Sequence, residues 1–227
     1  MTDPAVLARL LQLASPALPV GAYSYSQGLE WAVESGAVRD EAGAQRWITG
    51  VLESSFAGLE APLLARLMEC WREGDAAGAA RWNALFLASR ETAELRAETL
   101  QMGYSLTLLL RDTGMVEAER LAPLLGLEQP SFPAAWGCAA AAFGLPPREA
   151  VTAYAWAWLE NQVMAAVKLV PLGQTAGQRM LASLAARIPA LAERSLAATE
   201  GTLGNFAPLL AVASARHETQ YTRLFRS

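Results

Sequence analysis

The sequence predicts an all-α protein, and three observations carry that expectation. Apolar residues recur at three-to-four spacing along most of the chain, as in helices that bury one face. The stretches between them hold helix caps and stops. No run alternates apolar and polar residues with period two between hairpin signals, so strands find no support. About ten helices fit the 227 residues, without a repeat of fixed length or an obvious linker. The weakest seam, Gly126 to Pro133, does not warrant a cut. Residues 1–227 therefore read as one helical domain.

Asp40 reads as an N-cap and Gly74 as a stop. Between them Trp47, Ile48, Val51, Leu52, Ser55 and Phe56 form a stripe that Leu59, Leu63, Leu64, Leu67, Met68 and Trp71 continue. Gly58 and Pro62 are expected to kink or split this segment. Asp75 caps a helix through Trp82, Leu85 and Phe86, and a further helix is expected from about Glu91 to Arg111, ending before Gly114. Pro146 and Pro147 open the clearest helix. Val151, Tyr154, Ala155, Trp158, Leu159, Val163, Ala166, Val167 and Val170 form its apolar stripe, with Arg148, Glu149, Glu160, Asn161 and Lys168 on the other face. After the break at Pro171-Leu172-Gly173, helices are expected over Gln174 to Arg187, Pro189 to Thr199 and Pro208 to His217. Helices this apolar are weak alone and must pack on each other or on a second subunit.

Composition narrows the class. Hydrophobic residues make up 53% and mean hydropathy is +0.19, so either the core is large or apolar surface is kept for partners. A dimer is expected. Net charge is −4 and the pI about 5.2, which gives no electrostatic footprint for nucleic acid. Leu10 to Leu29 carries no charge, but Asp3, Gln12, Pro16 and Pro19 argue against a signal peptide or a membrane span. The four prolines between Gln129 and Pro147 argue against a span there too. Cys70 and Cys138 form no Cys-x-x-Cys pair and read as buried free thiols. A cytoplasmic location, with neither membrane nor nucleic acid as partner, fits best.

Catalytic constellations are scarce. His217 is the sole histidine and stands near the C-terminus, far from any good Ser-His-Asp arrangement. Neither His-x-x-x-His nor Cys-x-x-Cys supplies a metal site, and His217-Glu218 are too few ligands to select an ion. His217 is read as a surface or buried-network residue. Glu91, Glu94 and Glu98, near Arg90 and Arg96, read as ion pairs on a solvated helix face. Pro171-Leu172-Gly173-Gln174-Thr175-Ala176-Gly177-Gln178 has the glycine spacing of a phosphate loop but lacks its lysine and follows a helix. It reads as a tight helix–helix turn whose glycines allow close approach. No catalytic and no metal residues are therefore assigned.

Two segments stand out. In Ser15-Pro16-Ala17-Leu18-Pro19-Val20-Gly21-Ala22-Tyr23-Ser24-Tyr25-Ser26-Gln27-Gly28-Leu29-Glu30, the prolines bar helix and Ser24 with Gln27 has a capping-box pattern. The segment is either a shaped loop presenting Tyr23 and Tyr25 beside a helix that bears Glu30, or a capped turn between packed helices. In the tail, Tyr221-Thr222-Arg223-Leu224-Phe225-Arg226-Ser227, aromatics sit among arginines where a chain usually frays. Leu224 and Phe225 either tuck onto their own domain or dock in a partner's groove.

Together with Ala88-Ser89-Arg90-Glu91, Glu94-Leu95-Arg96 and Gln101-Met102-Gly103, the loop, the glycine turn and the His217-Glu218 tail resemble the urease accessory protein family UreF, in order and over nearly the whole chain. The resemblance implies a dimeric helical protein without catalysis of its own. It implies a bridge between the GTPase UreG and a second accessory protein, UreD (UreH in some organisms), with GTP bound by UreG and nickel passed to apo-urease. It assigns partner contacts to Tyr23, Ser24, Glu30, Gly173, Gln174, His217, Glu218, Tyr221, Arg223, Leu224, Phe225, Arg226 and Ser227, with residues 218–227 as a docking tail. Terminal residues add little to a core unless they dock, whereas aromatic and Arg anchors carry much of an interface's energy, so deleting Tyr221 to Ser227 is expected to leave the body folded but abolish assembly.

Members often have His where this chain has Gln27, and His-Pro where it has Phe132-Pro133. With only His217 left, stable nickel binding is not expected, and nickel in transit would use oxygen ligands and water. Thr222 replaces the usual Ser and keeps the hydroxyl. Two alternatives are an adaptor for another GTPase or metalloenzyme and, in a different class, an all-α small-molecule enzyme.

Overall fold

A computed structural model describes residues 3–227. Its elements are α1 (Pro4–Ala14), α2 (Leu29–Glu34), α3 (Glu41–Val51), α4 (Ala61–Glu73), α5 (Ala76–Ala88), α6 (Ala93–Thr113), α7 (Ala118–Leu125), α8 (Phe132–Ala142), α9 (Pro147–Leu169), α10 (Gln174–Ala185), α11 (Ile188–Ala197) and α12 (Pro208–His217). No strand occurs among the described residues, so the all-α expectation holds, with a helix count close to the expected ten.

The caps explain most boundaries. Asp40 accepts from the Gly43 amide at 2.7 Å and Asp75 from the Gly78 amide at 2.8 Å. Gly74 ends α4 in the left-handed conformation, where L side chains are disfavoured. Thr92 caps α6, accepting from the Leu95 amide at 3.2 Å, so this helix starts slightly later than Glu91.

The helix α8 forms the middle of the core. Its alanines and Gly137 let α4 and α6 approach, and Trp136 is wholly buried there. Packed on α4 runs α9, with α1, α10 and α11 along its length. Contrary to the polar face expected for α9, Asn161 is buried. Asn161 is held by the Tyr25 carbonyl at 3.1 Å, so the loop before α2 covers what the pattern left to solvent.

No break occurs at Gly58 or Pro62. The chain instead widens into a π-helical segment, Leu52–Glu60, that joins α3 to α4 without interruption. Pro62 is the second residue of α4, directly after the π segment. Gly58 offers its carbonyl to the Gly204 amide at 3.0 Å, and a Cβ there would collide with the Gly204 carbonyl. None of the described helices is long and apolar enough to cross a membrane.

Candidate functional site

The loop and the tail, 201 residues apart, meet on α6. Gly21 and Gly28 turn the loop with φ of 80° and 76°. Gly28 also lets α12 come close, since a Cβ there would stand 3.0 Å from that of Ala213. The predicted capping box does not form. Gly28 occupies the N-cap of α2, and Ser26, rather than Ser24, accepts from the Glu30 amide at 3.2 Å. Gln27 instead takes a positive φ of 51° and sends its side chain inward. Its amide donates to Glu98 at 2.7 Å and its oxygen accepts from Trp158 at 2.9 Å.

The tail lies along this loop. The Arg226 amide donates to the Ser24 carbonyl at 2.8 Å, and the Ser26 amide donates to the Ser227 carbonyl at 2.7 Å. Glu30, on the first turn of α2, accepts from the amides of Leu224 at 2.6 Å and Phe225 at 2.8 Å. Phe225 is 7% exposed and belongs to the main core, with Lys168 Nζ 5.5 Å from its ring centre. Ser227 is fully buried and donates its hydroxyl to Glu98 at 2.9 Å. Of the two readings of the tail, docking onto its own domain is what the structure shows. Tyr221, Arg223, Leu224 and Arg226 face outward.

His217 is fully buried, with Nδ1 2.6 Å from Glu94 and Nε2 3.1 Å from Glu30. Carboxylate oxygens accept, so the geometry suits a ring that donates from both nitrogens. Arg223 also reaches Glu94, at 2.7 Å. Glu218 accepts from the Ala93 amide at 2.9 Å and helps cap α6. The expectation of a solvated acidic face on α6 therefore fails at two of its three positions. Glu94 is engaged by His217 and Arg223, and Glu98 is buried.

Beneath the loop lies a cavity of about 70 Å³, bounded by Gln27, Glu60, Arg90, Glu98, Tyr154 and Trp158 among others. Glu60 pairs with Arg90 at 3.5 Å and accepts from the Tyr154 hydroxyl at 2.6 Å. Burial, then Glu60, pushes the Tyr154 phenol well up. Tyr23 is pushed up to about 12 by burial and the nearby Glu160, and Tyr25 is raised by burial and Glu98. Burial pushes Glu98 up to about 7, against the two hydrogen bonds it accepts.

Not every predicted residue joins this cluster. Gly173 and Gln174 are exposed at the start of α10, and neither bonds the loop or tail among the described contacts. Gly177 gives the expected close approach, since a Cβ there would press on Val167 of α9 at 2.7 Å. Sequence reasoning missed Ser26, Gln27, Glu60, Arg90 and Glu98 as site residues. One signal was available for Glu98: with Leu95 and Met102 at i−3 and i+4, it falls on the apolar face of α6. Among the described residues no group of three or more His, Cys, Asp or Glu is arranged to hold a metal ion.

The UreF family model matches residues 38–185. The chain is 64% identical over 223 residues to a urease accessory protein UreF of Azoarcus sp. (strain BH72), covering 97% of this chain and 95% of the relative. It is 56% identical to the UreF of Dechloromonas aromatica (strain RCB), covering 97% of each. A bifunctional urease accessory protein UreEF of Bordetella bronchiseptica is 52% identical, covering 99% of this chain but 53% of that longer relative. At this coverage the matches take in the loop, which lies outside the family match. On these matches, and with the all-helical fold described above, the chain belongs to the UreF family.

Proposed function

We propose that the protein is a non-catalytic, dimeric cytoplasmic scaffold for urease maturation, bridging the GTPase UreG and UreD (UreH) so that GTP hydrolysis is coupled to nickel delivery into apo-urease. Nickel is cargo in this reading, carried on oxygen ligands and water, and GTP belongs to UreG. The supporting observation is the surface of the last helix and the tail. Phe206, Leu209 and Leu224 are 81%, 74% and 69% exposed, and Val212 and Tyr221 also point outward, with Arg216, Arg223 and Arg226 among them. A fold this apolar leaves large side chains in water along one stretch only at a cost, and such surfaces mark interaction sites. The docked tail holds this surface in place, with Phe225 and Ser227 as its internal anchors.

The test is capture of UreG and UreD by the full chain, with and without GTP and nickel. Leu209→Asp and Leu224→Asp should lose capture by more than tenfold while melting within a few degrees of wild type. Capture unchanged in both variants would remove this surface from the assembly. Light scattering should give twice the 24.2 kDa chain mass, and a monomer at tens of micromolar would count against the dimer.

A further inference from the structure

The Glu98 carboxyl joins two distant stretches of chain to α6. Oε1 accepts from Gln27 in the loop, and Oε2 accepts from Ser227 at the end of the tail. Among the described residues, Gln27 alone of the non-glycine residues has a positive φ, a conformation that persists only where surroundings impose it. Its bonds to Glu98 and Trp158 do so.

The charged and titratable groups around Glu98 are all engaged elsewhere. On the π segment, Glu60 holds Arg90, whose guanidinium also stacks on Phe86 at 4.3 Å. On α9, Tyr154 donates to Glu60. On α2 and α6, Glu30 and Glu94 hold His217 of α12, and Glu94 holds Arg223 of the tail. In the loop, the Tyr25 phenol is paired with Arg226. Among the described residues no cation pairs with Glu98 directly; the like charge of Glu60 raises it, and Arg90, bound to Glu60, lowers it less. Burial therefore outweighs the two donated hydrogen bonds, and the neutral acid is the form that suits the closed site.

We propose that Glu98 is a proton-operated latch for residues 218–227: the protonated carboxyl accepts from Gln27 and donates to the Ser227 hydroxyl oxygen, reversing that bond, and loss of its proton to solvent loosens the tail. When the tail leaves, Glu98 meets water and returns toward the usual carboxylate value of 4.5. The docked state thus binds the proton more tightly than the open one. Docking is strongest at acid pH and weakens as pH rises through about 7. Between pH 6 and pH 8 the docking constant should fall by about tenfold. This holds whether or not a partner uses the tail.

Hydrogen exchange of the full chain at pH 6, 7 and 8, expressed as protection factors so that the intrinsic pH dependence is divided out, tests the proposal. The amides of Leu224, Phe225 and Arg226 report docking, and α8 serves as a control for global unfolding. Wild type should lose about tenfold protection at the three amides from pH 6 to pH 8, with α8 unchanged. Glu98→Gln stays neutral, can accept from Gln27 and donate to the Ser227 hydroxyl, and should show no pH-dependent loss. Glu60→Gln removes the like charge and frees Arg90, so its midpoint should move to lower pH. The proposal is overturned if wild-type protection is constant with pH, if Glu98→Gln keeps the wild-type transition, or if the Glu60→Gln midpoint stays in place. Should Glu98→Gln fail to fold, the wild-type profile and the Glu60→Gln midpoint decide.

Discussion

The carbonyl oxygen of Ser227 accepts two hydrogen bonds from Ser26, one from its amide at 2.7 Å and one from its hydroxyl at 2.6 Å. With the Arg226 amide on the Ser24 carbonyl, the Ser26 amide bond makes a short backbone pairing between loop and tail that does not depend on side-chain identity. Side chains enter beside it, through Phe225, Glu30 and Glu98. The tail is therefore part of the fold, and the expectation that its deletion spares the body needs revision.

Phe225→Ala should destabilise the protein by about 3–5 kcal/mol, the usual cost of emptying a buried aromatic site. For a chain of this size that is a fall in Tm of roughly 6–20 °C. Deleting Tyr221 to Ser227 should cost at least as much, since Glu30 and Glu98 also lose partners. Calorimetry showing an unchanged Tm for the truncated chain would show that the tail adds nothing to the core.

Glu30 is the charge on which the tail hangs. Its carboxylate faces the amides of Leu224 and Phe225 and one nitrogen of His217, all in a dry setting. Glu30→Ala leaves these donors unmet and should cost about 3–5 kcal/mol. Glu30→Gln keeps one acceptor and should fall between Ala and wild type in urea titration. Equal stability of all three would mean the carboxylate carries no net weight there.

Cys138 is buried in α8, and burial pushes its thiol up to about 12. An unfolded thiol ionises near 9. The folded value is the higher one, so this group's contribution to stability is fully present below about 9 and is lost as pH rises toward about 12. At pH 8 native Cys138 should resist Ellman's reagent and react only after denaturation. Rapid labelling of the native chain at this residue, identified by peptide mapping, would contradict its burial.

The sequence made the helices legible because their caps are local. Asp40, Asp75, Gly74 and Pro147 each mark a boundary through contacts within a few residues. The site was half legible. Aromatics and arginines in the tail, and prolines in the loop, identified both strands of the pairing. Their mutual contact was not, because it joins residues far apart in sequence. Glu94 was misplaced for the same reason, since the His217 and Arg223 that engage it lie more than 120 residues away, whereas the burial of Glu98 was legible in its spacing from Leu95 and Met102. Asn161 repeats the pattern on α9, polar by composition and buried by a loop that local periodicity does not reveal.

The separation of Ser26 from Ser227 also sets an order in time. A ribosome adding about 5–20 residues per second makes residue 227 roughly 10–40 s after residue 26. In that interval α2 and, once residue 113 has been added, α6 can form, but Glu30 and Glu98 wait uncovered. The pairing of loop and tail is thus among the latest contacts of the described residues to become possible, and until it forms both carboxyls stay open to water.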